Sequence, residues 1–81
     1  MATKAQHYTR YAPIPGFLRV LREEAGLTQR DFGTILHRPQ SWVYKSETGN
    51  RRVDIAEFHD WCRACKIPFA KATFRLERIL G

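Results

Sequence analysis

A short polar segment at residues 39–47 holds side chains suited to recognising another molecule by hydrogen bonding. Pro39 fits the first turn of a helix, and Val43 is the main apolar residue that follows, so the segment is predicted to be a short helix with a largely polar face. Gln and Lys side chains at such a face can bond to the edges of adenine and guanine. The residues that give this face its polar character are Gln40, Ser41, Tyr44 and Lys45.

The charge of the chain favours an anionic partner. Fourteen Lys and Arg residues against eight Asp and Glu residues give a formal net charge of +6. Such an excess fits a nucleic acid, although surface arginines also keep small proteins soluble, so charge alone leaves both readings open. A chain of 81 residues is expected to form one domain with little room for an enclosed active-site cleft.

His59, Cys62 and Cys65 form a second group with possible chemistry, namely metal binding or redox sensing. On a helix, residues 59 and 65 are separated by about 600° of rotation and so point about 120° apart. A fourth metal ligand is missing nearby, and a free cysteine behaves as a small apolar residue. A core role for both cysteines is favoured over redox sensing and over zinc. No metal or cofactor is predicted.

The acidic residues do not suggest an enzyme. Asp31, Asp54, Glu57 and Asp60 lack a nucleophile or metal constellation beside them, the histidines are scattered, and no glycine-rich phosphate loop is present. The apolar runs are broken by Pro, Gly or charged residues well before the roughly 20 residues that a membrane span needs. We therefore expect a non-catalytic protein of the cytoplasm, with no membrane partner.

Helical periodicity runs through most of the chain and predicts an all-α, five-helix bundle. The expected helices cover about 15–25, 29–36, 39–47 and 55–65, with a last helix that opens at 67–68 and turns Phe69, Ala72, Leu76, Ile79 and Leu80 inward. Residues 1–13 are expected to be a mobile basic arm, and residues 14–81 the domain. The predicted core is Leu18, Leu21, Phe32, Leu36, Val43, Ile55, Phe58, Cys62 and Leu76.

Short stretches across residues 14–69 closely resemble the Xre/Cro-type, lambda-repressor-like helix-turn-helix family, with the motif at about 29–47. The matching stretches are Gly26-Leu27-Thr28-Gln29, Phe32-Gly33, Pro39-Gln40-Ser41-Trp42-Val43, Glu47-Thr48-Gly49-Asn50-Arg51 and Val53-Asp54-Ile55-Ala56-Glu57-Phe58. The resemblance implies a helical fold, with Gly33 where the two motif helices approach closely.

The resemblance also implies roles for individual residues. Gln40, Ser41, Tyr44 and Lys45 would contact bases in the major groove. Gln29 would contact phosphate and brace Gln40, and Arg22 with Glu47 would form a structural ion pair, to which Arg51 adds a bond. The residues expected at phosphates are Thr28, Gln29, Arg30, Arg38, Trp42, Thr48, Asn50 and Arg52.

The chain departs from the family pattern at three positions. His37 replaces a glycine that commonly takes a left-handed conformation, which His adopts less easily. Arg38 and Ser46 replace apolar residues. We expect Ser46 to anchor the helix at 39–47 less firmly, and Arg38 to supply a phosphate contact.

The function predicted from these observations is a sequence-specific regulator of transcription that binds double-stranded DNA. It would be a bacterial or phage repressor, forming a homodimer on a palindromic operator through the last helix, where Phe74, Leu76 and Ile79 lie. The alternative is an antitoxin-like module whose main task is to bind a partner protein such as a toxin. An exposed apolar patch on the last helix would favour the alternative.

Overall fold

A computed structural model describes residues 10–81, and this part of the chain consists of α-helices without a strand. The predicted all-α class and five-helix architecture are confirmed, with helix limits that differ from prediction by at most two residues. None of these helices combines the length and the apolar character needed to cross a bilayer. The helices are α1 Ile14–Glu24, α2 Gln29–Leu36, α3 Gln40–Thr48, α4 Ile55–Ala64 and α5 Phe69–Leu80.

The predicted arm at 1–13 falls largely outside the described residues, since positions 1–9 are not among them. Residues 10–13 form a turn that leads into α1. The Tyr11 hydroxyl accepts a hydrogen bond of 2.9 Å from the backbone N–H of Val53, so this turn packs against the segment that precedes α4.

Side-chain caps define the starts of α2 and α4. The Thr28 hydroxyl accepts from the backbone N–H of Asp31 at 3.0 Å, which satisfies one of the unpaired amides at the start of α2. Asp54 and Glu57 each accept from the other's backbone N–H, at 2.8 and 3.1 Å, and so form a capping box. Both caps follow the predicted spacing, which is why these two helices begin where the sequence indicates.

Trp61 lies at the centre of the core and ties α4 to two other helices. Its ring is fully buried, and its indole N–H donates to the carbonyl oxygen of Leu18 in α1 at 3.0 Å. The ring of Phe32 in α2 meets it edge-on, with the centroids 4.7 Å apart. Burial of a large aromatic ring with its polar atom satisfied makes a strong anchor, and truncating such a residue costs about 3–5 kcal/mol.

Most of the predicted core is buried or packed against buried residues, but the prediction is wrong for Ile55. Ile55 is 72% exposed because it is the first residue of α4, and the helices that pack against the following turns of α4 do not cover it. It borders an apolar cleft of about 150 Å³ whose walls include Ile14 and Phe58. Ile79, expected to face inward, is 44% exposed near the end of α5.

The turn between α2 and α3 brings the two helices close together. His37 adopts the left-handed conformation, with φ 60°, that the resemblance implied for this position. A Cβ atom on Gly33 would lie 2.6 Å from the carbonyl oxygen of Arg38, a contact that real structures avoid. The close approach expected at Gly33 is therefore made by the turn itself, just before α3 begins.

Candidate nucleic-acid interface

Helix α3 has one buried face and one exposed polar face. Val43, Ser46 and Glu47 are buried against the domain. The opposite face carries all the side chains expected at base edges, and all of them are exposed: Gln40, Ser41, Tyr44 and Lys45. The helix thus presents hydrogen-bonding groups outward while its other side is anchored in the protein.

A buried ion pair anchors α3 to α1. Arg22 donates from Nε to Glu47 Oε2 at 2.6 Å and from Nη2 to Oε1 at 3.0 Å, and both residues are 7% exposed. Arg22 also donates to the carbonyl oxygen of Leu27 at 2.6 Å. The hydrogen bond to Glu47 raises the pKa of Arg22 above its usual value, against the opposing effect of burial. This is the pair that the resemblance implied.

Two glutamines extend this pair to the exposed surface. Gln29, the first residue of α2, donates from Nε2 to Glu47 Oε1 at 3.0 Å. Gln40, the first residue of α3, donates from Nε2 to Gln29 Oε1, also at 3.0 Å. A continuous chain of hydrogen bonds therefore links the protein interior to the start of the polar face.

Ser46, the polar residue that we expected to anchor α3 less firmly, is fully buried on the inner face of the helix. The weaker anchoring itself stays a prediction. Its hydroxyl donates to the carbonyl oxygen of Trp42 at 2.8 Å and accepts from Arg51 Nη1 at 3.3 Å. Within residues 10–81 no buried side-chain nitrogen or oxygen lacks a hydrogen-bond partner. The hydroxyl thus replaces apolar packing with two hydrogen bonds.

The prediction that Arg51 bonds to Glu47 is wrong. Both oxygens of Glu47 already accept from Arg22, and Gln29 donates the third bond to this carboxylate, at Oε1. The chain reverses after α3 at Gly49, which has φ 84°, and this turn directs Arg51 toward α4. Arg51 there donates from Nη2 to Glu57 Oε2 at 3.1 Å.

Trp42 lies between two arginines on the flank of α3. The guanidinium carbons of Arg38 and Arg51 lie 4.7 and 4.5 Å from its ring centroid, within cation–π range. Glu57 approaches both arginines but carries only one negative charge, so the cluster keeps a positive excess. The residues predicted from the sequence to lie at phosphates include Trp42 and Arg38 but not Arg51. Arg51 lies beyond the turn that follows α3, where no local spacing marks its contact with Trp42.

The remaining residues expected at phosphates occupy both ends of the helix pair. Thr28, Gln29 and Arg30 lie at the amino end of α2, where free backbone N–H groups favour an anion. Asn50 and Arg52 are exposed on the turn after α3, and the Arg52 guanidinium lies 5.1 Å from the Tyr11 ring centroid. Thr48 differs, because its hydroxyl already donates to the carbonyl oxygen of Tyr44 at 2.9 Å.

The cysteines and His59 lie apart from this surface. Cys62 is fully buried in the core, and burial raises the pKa of its thiol to about 11. Burial together with Cys62 raises the pKa of Cys65 to about 12. His59 packs edge-on against Phe69 with centroids 5.0 Å apart. Across residues 10–81, no group of three or more His, Cys, Asp or Glu side chains is placed to hold a metal ion.

Comparisons with known proteins agree with this architecture. The family model described as "Helix-turn-helix domain" matches residues 16–71. A solved structure of an XRE-family like protein from Pseudomonas syringae pv. tomato str. DC3000 is similar to the chain with 38% sequence identity and a TM-score of 0.80. The match covers 99% of this chain and 98% of that one. The comparison with curated proteins gives no match.

Proposed function

The chain belongs to the Xre-type helix-turn-helix family of DNA-binding regulators, and on that premise we propose that it is a sequence-specific repressor. In this proposal α3 enters the major groove and its exposed side chains bond to base edges. The protein occupies an operator in the cytoplasm, at the nucleoid, and acts by binding rather than by catalysis.

The observation that carries the proposal is the polar outer face of an otherwise anchored helix. Gln40 and Lys45 can form bidentate bonds with adenine and guanine respectively, each worth about 1–3 kcal/mol of discrimination. Readout of this kind needs a helix fixed in position, and the buried Arg22–Glu47 pair supplies that fixation. Ser41 and Tyr44 complete the face.

The charge around α3 supports contact with the DNA backbone. The amino end of α2 is bonded to the first residue of α3, the Arg38–Trp42–Arg51 cluster includes a residue of α3, and the exposed turn at Asn50 and Arg52 follows it. Contacts to phosphate position a protein on the duplex without reading its sequence. We assign these flanking groups to that role.

An apolar patch away from α3 supports association with a second protein chain. Val20 of α1 and Ile79 of α5 are exposed and line a shallow groove together with Phe17, Arg75 and Arg78, and Phe74 of α5 is also exposed. To occupy two successive half-sites, a homodimer formed through this patch needs its two copies of α3 about 34–36 Å apart, one turn of the DNA helix. A palindromic operator would follow from that symmetry.

The same patch favours a second candidate function. An antitoxin-like module would use an exposed apolar surface on α5 to hold a partner protein such as a toxin. The two functions differ in what α3 does, because only the repressor needs Gln40 and Lys45 to read a sequence.

Selection of bound duplexes from a random library tests the proposed function. The repressor should enrich one sequence, with two half-sites related by symmetry. The matched control is Gln40→Ala with Lys45→Ala, which should lose the enrichment while keeping the fold, as followed by circular dichroism. Failure of the wild-type protein to enrich any sequence would contradict the proposal and favour the antitoxin-like module.

A further inference from the structure

The hydrogen bonds that join Arg22, Glu47, Gln29 and Gln40 all lead to Glu47, which is the final acceptor. Gln40 donates to Gln29, and Gln29 donates to Glu47. Glu47 accepts the bond from Gln29 and the two bonds from Arg22. Each glutamine therefore uses its amide nitrogen toward the interior, and Gln29 uses its oxygen toward Gln40.

The chemistry of Glu47 dictates that direction. A carboxylate only accepts hydrogen bonds, so the Gln29 amide must turn its nitrogen toward Glu47. The Gln29 oxygen then faces Gln40, so Gln40 must donate from its amide nitrogen. The orientation of the exposed Gln40 amide is thus set by a buried carboxylate that lies two residues further along the chain of bonds.

The fixed direction leaves Gln40 with a defined set of hydrogen-bond donors and acceptors at the surface. One of its two amide N–H groups is engaged by Gln29, so one N–H donor and one oxygen acceptor remain for a partner. Adenine offers the complement in the major groove, an acceptor at N7 and a donor at N6. Guanine offers two acceptors, N7 and O6, and the oxygen of Gln40 would oppose one of them.

We propose that Glu47 is a specificity-determining positioning residue, which makes Gln40 select adenine over guanine by fixing the direction of the amide chain. This inference rests on the proposed function, because it requires Gln40 to meet a base edge. Glu47 itself touches no base and acts through Gln29.

The substitution Glu47→Gln is expected to reverse the chain. The shortest bond to Glu47, from Arg22 Nε at 2.6 Å, goes to Oε2, so the new amide keeps its oxygen there. Its nitrogen then takes the place of Oε1, where it gives up the longer 3.0 Å bond from Arg22 Nη2 and donates to Gln29. Gln29 turns its oxygen inward and its nitrogen toward Gln40, which frees both N–H groups of Gln40 for the two acceptors of guanine.

The matched control is Arg22→Lys. It weakens the same buried pair, because Lys cannot form the two-pronged bond, but it leaves the Glu47 carboxylate and hence the direction of the chain unchanged. Thermal stability should fall in both variants. Only Glu47→Gln should change the preferred base.

The experiment measures binding to the duplex enriched by the wild-type protein and to single-base versions of it. Gln40→Ala first identifies the base pair that Gln40 contacts. At that pair, Glu47→Gln should lower the preference for adenine over guanine by about tenfold or more, while Arg22→Lys keeps it. Gln29→Leu breaks the chain of hydrogen bonds at an incompletely buried position and should also lower the preference for adenine. It replaces Glu47→Gln in the experiment if that variant does not fold.

The outcomes separate the two claims. A wild-type protein that enriches no sequence contradicts the proposed function. A wild-type preference for a base other than adenine at the Gln40 pair contradicts this inference alone, as does an adenine preference that persists in both Glu47→Gln and Gln29→Leu.

Discussion

Two arginine–carboxylate pairs in this domain have nearly the same chemistry but different surroundings. Arg22 joins α1 to Glu47 of α3 with two hydrogen bonds of 2.6 and 3.0 Å. Arg75 joins α5 to Glu24 of α1 with two bonds of 2.9 Å. The side chains of the first pair are 9% and 2% exposed, whereas those of the second are 31% and 53% exposed.

The difference shows that geometry alone does not set the value of an ion pair. Water can solvate Glu24 or Arg75 when the other is removed, so the exposed pair is expected to contribute little to stability. Glu47 and Arg22 have no such substitute, and Glu47 also orients Gln29. The buried pair therefore helps to fix the position of α3, whereas the exposed pair is a local surface contact between α5 and α1.

The largest predicted effect is that of Arg22→Ala, which should reduce the free energy of unfolding by about 3–5 kcal/mol because it leaves Glu47 as an uncompensated buried charge. Urea denaturation followed by circular dichroism measures it. The double variant Arg22→Met with Glu47→Leu is the control, since replacing both charges by apolar groups should recover most of the loss. A loss below about 1 kcal/mol in Arg22→Ala would mean that the buried and exposed pairs are equivalent.

A smaller effect is predicted at the turn that positions α3. Gly33→Ala should destabilise the domain by about 1–3 kcal/mol, because its Cβ would lie 2.6 Å from the carbonyl oxygen of Arg38. Gly16→Ala in α1 is the matched control: a Cβ there meets nothing within 4 Å, so the substitution should stabilise the helix by about 0.5–1 kcal/mol. Thermal unfolding of both variants checks the opposite signs, and equal signs would refute the close approach at Gly33.

The smallest predicted effect is that of Arg75→Ala, at about 0–1 kcal/mol near neutral pH. The hydrogen bond from Arg75 lowers the pKa of Glu24 below 4.5, so the pair stabilises the fold above that pH and loses its contribution as the pH falls through the lowered value. The stability difference between wild type and Arg75→Ala should therefore shrink in acid. Urea denaturation at neutral and acidic pH measures it, and a difference that grows in acid would contradict the assignment.

Much of the fold could be predicted from local signals in the sequence. Thr28, Asp54 and Glu57 are capping residues at the expected spacing, and apolar periodicity indicates which faces turn inward. Ile55 shows the limit of periodicity, since it lies on the correct stripe but beyond the helices that cover that stripe. Periodicity identifies a face, whereas burial depends on what packs against it.

The sequence predicts which residues form the site better than it predicts the hydrogen bonds between them. The polar face of α3 is visible in the sequence as a helix with few apolar residues. The partner of Arg51 could not be predicted, because the turn at Gly49 decides whether the side chain points to Glu47 or to Glu57. The bond between Gln29 and Glu47 joins residues on different helices, and no local pattern marks it.

The most direct test of the central claim, that α3 reads sequence while its flanks hold phosphate, is a salt series on the enriched duplex and a scrambled duplex. Gln40→Ala and Lys45→Ala should each lose about 1–3 kcal/mol on the enriched duplex and little on the scrambled one. Arg52→Ala should weaken binding to both and reduce the slope of log affinity against log salt by about one. If Gln40→Ala and Lys45→Ala bind both duplexes as the wild-type protein does, α3 does not read DNA.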